Sequence, residues 1–193
     1  MEFSQLEDDV IYLRPLVMED AEALFEAGNH AEIWTYTAHT IQSLKDAEAY
    51  IEDALHKSKT EQTYAIVDRQ SNRVIGSTRF YQIDTKNRAA MLGYTWLTPA
   101  YFGTSVNKRC KYLLFQYAFE KEGLERIQIV ADERNTRSCR AIEGLLATKE
   151  GVLRKHIICK DGYIRNSVVY SVIREDWPRV KAHLEQAIGC KTV

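Results

Sequence analysis

The feature that most constrains this chain is a change of hydrophobic period in its middle. Three apolar stretches follow one another with only short polar turns between them: 63–67 (TYAIV), 74–83 (VIGSTRFYQI) and 89–97 (AAMLGYTWL). The turns are Gln70-Ser71-Asn72-Arg73 and residues 84–88. β-Branched and aromatic runs broken by turn formers read as consecutive antiparallel strands. A meander of this kind must bury its apolar surface, so the flanking segments have to supply the covering layers. Gly93 interrupts the third strand, where a glycine marks a bulge or a close backbone approach.

The flanks fit that requirement. Residues 10–16 (VIYLRPL), broken by Pro15, read as a first strand near an edge. Ala21, Leu24, Phe25 and Gly28 recur at helical spacing behind the acids Glu19 and Asp20. A second helix is expected after Ser43, with Leu44, Ala47, Ile51, Ala54 and Leu55 on one face and Asp46 as the capping-box acid. Beyond Pro99, Val106, Cys110, Leu113, Leu114, Tyr117 and Ala118 outline a helix closed by Gly123. Then come a strand at 126–131 and a helix after Asn135 carrying Ala141, Ile142, Leu145 and Leu146. Residues 152–159 and 163–173 flank Asp161-Gly162 as a hairpin, and Trp177, Val180, Leu184 and Ile188 mark a terminal helix at about 175–189. The three prolines and nine glycines do not gather into a linker. The order predicts one α/β domain over 1–193, with a mixed, mostly antiparallel sheet and helices on both faces.

Charge excludes some functions. Twenty-six basic residues against 27 acidic ones leave a net charge of −1, too balanced for bulk attraction to nucleic acid or an anionic membrane. No run approaches the ~18 apolar residues of a membrane span. The opening Met1-Glu2-Phe3-Ser4 has no basic start or apolar run, so a cytoplasmic location is expected. Cys110, Cys139, Cys159 and Cys190 form no C-x-x-C pair, and the five histidines have no ligand-like spacing, so no metal site is expected.

The most informative segment is Tyr101-Phe102-Gly103-Thr104-Ser105-Val106-Asn107-Lys108, which joins a strand to an amphipathic helix through small residues. A helix start leaves N–H groups without partners and carries about half a positive charge, which suits a phosphate if side chains let it approach. Lys108, Arg109 and Lys111 add cations. The segment has neither the G-K-[ST] of a P-loop nor G-x-G-x-x-G, and 103–105 reads equally well as a plain helix cap.

Taken in order, several stretches resemble the GNAT superfamily of acyl-CoA-dependent N-acetyltransferases, in particular its RimJ/RimL-like branch. They are Tyr12-Leu13-Arg14-Pro15-Leu16, Ile75-Gly76-Ser77-Thr78-Arg79 and Leu92-Gly93-Tyr94-Thr95-Trp96-Leu97, then the loop at 101–108, the stretch 135–143 (NTRSCRAIE) and Val169-Tyr170-Ser171-Val172-Ile173. The resemblance covers about residues 10–178. It implies a sheet splayed near Gly93 and acetyl-CoA as co-substrate. The pantetheine arm would pair with Thr95, Trp96 and Leu97. The pyrophosphate would lie on the amides of Gly103, Thr104, Ser105, Val106, Asn107 and Lys108. Asn135 would touch the arm, and Ser138 would protonate the leaving thiolate. Ala100 and Ser105 depart from the family's loop, Met91 stands where many relatives carry a glutamate, and Leu146 stands where a glycine is usual.

Acetyl transfer needs a neutral amine, a polarised thioester and a stabilised thiolate. Without a carboxylate at 91, a weakly basic acceptor is favoured: an α-amine near pKa 7.8 is partly neutral at pH 7, whereas a lysine near 10.4 costs roughly 3.5 kcal/mol more. The expected acceptor is a peptide or protein N-terminus. The alternatives are a small-molecule amine such as a polyamine or aminoglycoside, and a catalytically silent CoA-binding module. Glu32, Glu61 and Asp84 are candidate bases, with His39 and His156 in reserve. Trp34, Tyr36, Arg79 and Tyr81 are candidates for the acceptor pocket, each also readable as core or surface. The oligomeric state is left open between monomer and homodimer.

Overall fold

In a computed structural model, residues 4–37, 39–58, 60–159 and 162–189 are described. Strands β1 (Leu6–Glu7) and β2 (Ile11–Pro15) lead into helices α1 (Ala21–Gly28), α2 (Ala31–Trp34) and α3 (Leu44–His56). The meander is β3 (Gln62–Asp68), β4 (Arg73–Asp84) and β5 (Ala89–Leu97). Helix α4 (Val106–Gln116) runs into a π-helical turn at Tyr117–Lys121, then β6 (Arg126–Asp132), α5 (Thr136–Glu143), β7 (Thr148–Ile158), β8 (Ile164–Ile173) and α6 (Trp177–Ile188) follow. The three meander strands match the expected boundaries to within one residue at each end.

The strands form one sheet in the order β1-β2-β3-β4-β5-β6-β8-β7, antiparallel throughout except for the parallel β5–β6 pair. That parallel step follows from the α4 crossover, since a parallel neighbour needs a long return connection. Two cores cover the sheet. Val106, Cys110, Leu114 and Phe115 of α4 pack with Ile142, Val180 and Leu184 on one face. Leu24, Ile33, Trp34, Tyr50 and Ile51 of α1–α3 pack with Ala65, Val67 and Trp96 on the other.

Local chemistry sets the ends of the elements. The Ser43 hydroxyl accepts the Asp46 N–H at 3.2 Å, as a capping residue does. The Asp46 carboxylate reaches back to the Gln42 N–H at 3.0 Å, one residue earlier than a capping box requires. Helix α5 stops at Glu143, short of Leu145 and Leu146. Leu146 takes φ +60°, the left-handed conformation that the family's usual glycine would adopt without strain. In the β7–β8 turn, Gly162 has φ +81°, while Asp161 lies outside the described residues, as does Cys190.

Gly76 marks the tightest approach between strands. A Cβ there would stand 2.2 Å from the Trp96 carbonyl oxygen. Gly76→Ala is therefore expected to lower stability by about 3 kcal/mol in urea unfolding; stability within about 0.5 kcal/mol of wild type would contradict this packing.

Candidate active site

The site is built on a fork in the sheet. β5 and β6 pair at Ala89–Arg126, Ala90–Ile127 and Met91–Gln128, then part. From Leu92 onward no strand among the described residues pairs with β5 on that side. On its other side the register with β4 slips: Gly93 faces Arg79 and Trp96 faces Ser77, so Tyr94 and Thr95 stand opposite Thr78 alone. This is a β-bulge, and it reverses the phase of the strand. Ala90 and Leu92 point into the α4-side core; beyond the bulge Leu97 does so while Trp96 points into the other. Tyr94 carries the strain, with φ +52°. The break thus falls one residue after Gly93, whose missing side chain makes room for Tyr81: a Cβ would lie 3.0 Å from Tyr81 Cε1.

Polar contacts hold the bulge from both faces. Thr78 and Thr95 share a hydroxyl bond of 2.8 Å, and Lys111 of α4 donates to Thr95 Oγ1 at 2.6 Å. On the opposite face, the Arg79 guanidinium lies 4.6 Å from the centre of the Tyr94 ring and 5.5 Å from that of Tyr50. Arg79 is 0% exposed and bonds Asp53 at 3.0 Å and Glu61 at 2.8 Å. Desolvation works against the charged guanidinium, but Tyr50 and the two carboxylates outweigh it and raise its pKa. Arg79 is therefore a support behind the bulge, with its charge already engaged by this chain's own carboxylates. That engagement also takes Glu61 away from the role of free base.

The loop after β5 presents open donors. Gly103 has φ +74°, and the Ser105 side chain caps nothing. Thr104 Oγ1 donates to the Tyr101 carbonyl at 2.8 Å and accepts from Val106 N at 3.3 Å. The N–H groups of Ser105, Asn107 and Lys108 have no partner among the described residues. Of the three cations expected here, only Lys108 remains available. Arg109 is buried and bonds Asp8 at 2.9 Å, Asp9 at 2.5 Å and the Ile188 carbonyl at 2.8 Å, tying the segment before β2 and the end of α6 to α4. Lys111 turns inward.

The opposite arm of the fork is the β6–α5 junction. Asn135 caps α5, its Oδ1 accepting the Ser138 N–H at 3.0 Å, and its amide NH2 has no partner among the described residues. The half-buried Ser138 hydroxyl has no partner among the described residues. Asp132 is buried; desolvation pushes its carboxyl up, but bonds from Arg134 bring it below the usual range. Arg134 stacks on Tyr163 at 3.5 Å and approaches Tyr36 at 5.5 Å. Arg137 lies 4.0 Å above the Phe102 ring, so the two arms touch at their tips. A cleft of about 330 Å³ lined by Glu32, Tyr36, Arg134, Asn135 and Arg137 lies between α2 and α5.

Of the expected acceptor residues, Tyr36 lines this cleft, and Tyr81 packs against Tyr94 with ring centroids 5.1 Å apart. Burial pushes the Tyr81 phenol up to about 12. Trp34 is core, bonded to the Gly28 carbonyl at 2.7 Å and packed on Trp96 at 5.2 Å. Asp84 holds Asn87 in the β4–β5 turn, and His156 lies on exposed β7. His39 is different: its ring is 5.4 Å from Tyr94 and 6.0 Å from Tyr50, beside the bulge. Tyr94 was legible only as part of a motif, because a tyrosine at positive φ has no signal in sequence.

A fork opened by a bulge, facing a strand-to-helix loop with free amides, is the arrangement that the family resemblance implies. The Acetyltransferase (GNAT) domain model matches residues 11–145. The chain belongs to the GNAT acetyltransferase family. N-acetyltransferase YoaA of Bacillus subtilis (strain 168), itself uncharacterised, is 29% identical over 175 residues, covering 89% of this chain and 98% of YoaA. A T. thermophilus protein described as an acetyltransferase superposes with a TM-score of 0.88 at 33% identity, over 97% of this chain and 99% of that one. Mycobacterium smegmatis RimJ, solved in complex with CoA-disulfide, shares the fold, with a TM-score of 0.81 at 18% identity over 97% and 94% of the two chains.

The Asn135 cap gives a direct test of the α5 junction. Asn135→Ala should cost about 1 kcal/mol in thermal unfolding, while Asn135→Asp, which still accepts from Ser138, should stay near wild type. Equal losses in both variants would contradict the cap.

Proposed function

We propose that this N-acetyltransferase moves the acetyl group of acetyl-CoA to the α-amine of a peptide or protein, by direct attack and without a covalent enzyme intermediate. The observation that carries the reading is the fork: an open β5 edge from Leu92 to Leu97 leads to a loop whose Ser105, Asn107 and Lys108 amides are unpartnered among the described residues. Those amides and Lys108 suit the diphosphate, and the open edge suits the amide groups of the pantetheine arm. The RimJ complex with CoA-disulfide supports a CoA ligand on this fold.

The acceptor side supports the choice of amine. Met91 places a thioether, 4.0 Å from Gln128 Nε2, where a carboxylate would serve as base. His39, beside Tyr94, is the base we assign. The amine nitrogen forms a bond to the thioester carbonyl carbon as the carbon–sulfur bond breaks. His39 takes the proton lost by nitrogen and releases it to solvent, and Ser138 supplies one to the departing sulfur and is reprotonated from solvent. A general base of this kind is better suited to a weakly basic α-amine than to a lysine amine, which is almost fully protonated at pH 7.

A thiol-release assay over acceptor panels tests this. At pH 7 a peptide with a free N-terminus should be turned over at least ~100-fold faster than a blocked peptide offering only lysine, from the difference in neutral amine. His39→Gln should lower kcat/KM by about 100-fold with unchanged affinity for acetyl-CoA. Faster turnover of spermidine or a lysine side chain would overturn the acceptor reading, and tight binding of acetyl-CoA with no turnover on any amine would favour a silent module.

A further inference from the structure

The chain buries a lysine amine under the fork with no carboxylate beside it among the described residues. Lys111, on the second turn of α4, is 5% exposed, and its Nζ bonds Thr95 Oγ1 at 2.6 Å. That hydroxyl is shared with Thr78 Oγ1 at 2.8 Å and lies 3.4 Å from the Gly93 carbonyl. Among the described residues no acid lies within ion-pair distance of Lys111. The buried cations Arg79 and Arg109, by contrast, each hold two. The surroundings do not compensate. Thr95 on β5 and Thr78 on β4 do not titrate. On its own helix, Cys110 is kept a neutral thiol, pushed up to about 11 by burial, and Lys108 is a like charge. Arg109 has its charge matched by Asp8 and Asp9. The start of α4 adds the positive end of a helix dipole.

An ammonium in such a place costs several kcal/mol unless a countercharge arrives. Desolvation accordingly lowers the Lys111 pKa. Lys111 touches Thr95 on the open β5 edge, and its helix begins at the loop with the unpartnered amides. Both are surfaces that the proposed function gives to an anionic nucleotide thioester, so a role for Lys111 there rests on that reading.

We propose that Lys111 is the proton-linked countercharge of the cofactor site: its amine takes up a proton when acetyl-CoA seats in the fork and returns it on release. The direction comes from linkage. A group that binds its proton more tightly in the complex favours the complex at low pH. Below the free-state pKa Lys111 is charged in both states and affinity is level. Between the free and bound values affinity falls about tenfold per pH unit as pH rises.

Calorimetry with acetyl-CoA at pH 8, in two buffers of unlike ionisation enthalpy, counts the protons. At that pH the cofactor's phosphates are fully ionised, and the thioester has no thiol to titrate. The wild type should take up protons on binding, Lys111→Met close to none, and Lys108→Met should bind more weakly with the wild-type count. At pH 8 Lys111→Met exchanges a neutral buried amine for an apolar chain of similar length, so without ligand it should melt close to wild type. As a measurement free of substitution, the Lys111 Cε resonance should titrate at higher pH with acetyl-CoA than without it. Binding without proton uptake, uptake that persists in Lys111→Met, or a Lys111 midpoint unmoved by ligand overturns the proposal and leaves the cofactor reading intact. Failure of the wild type to bind acetyl-CoA overturns both.

Discussion

One extra residue in β5 governs the rest of this structure. Because Tyr94 and Thr95 together oppose Thr78, the strand turns away from β6 beyond Met91, and the sheet forks. A regular strand would have stayed paired and left no edge for a ligand. The bulge places Tyr94 at positive φ, a conformation a tyrosine adopts only when its surroundings impose it. They do so from both faces. Arg79, fixed by Asp53 and Glu61, stacks on the Tyr94 ring, while Thr78 and Lys111 hold Thr95. The strain at Tyr94 is thus balanced by buried polar contacts on both faces of the strand.

The cations near the fork divide by task. Arg109 binds Asp8, Asp9 and the Ile188 carbonyl, so it anchors the N-terminal segment and the end of α6 to α4. Arg79 supports the bulge, and Lys111 lies beneath the strand edge. Arg134 and Arg137 stack on Tyr163 and Phe102, where a guanidinium spreads its charge over a ring face. Lys108, half-buried in the first turn of α4, has no ion pair among the described residues. Most of the charge near the fork is thus matched within the chain, by Asp53 and Glu61 at Arg79, by Asp8 and Asp9 at Arg109 and by Asp132 at Arg134.

Much of this was legible in the sequence. The meander was plain because strands buried under helices on both faces read as dense apolar runs between turn residues. The covering helices α1, α3, α4 and α6 were plain for the same reason at the other period. The one-turn helix α2 and the two-residue β1 were not, since neither is long enough to show a period. The loop amides were readable as a helix start. The cations around them were not: Lys108, Arg109 and Lys111 look alike in a string of letters, and only packing separates an exposed lysine from a clamped arginine and a buried amine. Arg79 stayed open between an acceptor contact and an ion pair for a related reason. Its partners Asp53 and Glu61 lie on α3 and the segment after it, distant in sequence, so nothing local showed that its charge was already matched. Met91 was legible as a departure, whereas His39 gained weight only once the α2–α3 connection was seen to bring it against Tyr94.

The central claim is that the fork between β5 and β6 is where a nucleotide thioester lies. A crystal structure of the chain grown with CoA tests it most directly. The account predicts a diphosphate within hydrogen-bond reach of the Ser105, Asn107 and Lys108 amides, with the pantetheine amides paired to β5 between Leu92 and Leu97. A ligand seated on another surface, or a diphosphate at the start of α5 instead of α4, would contradict it.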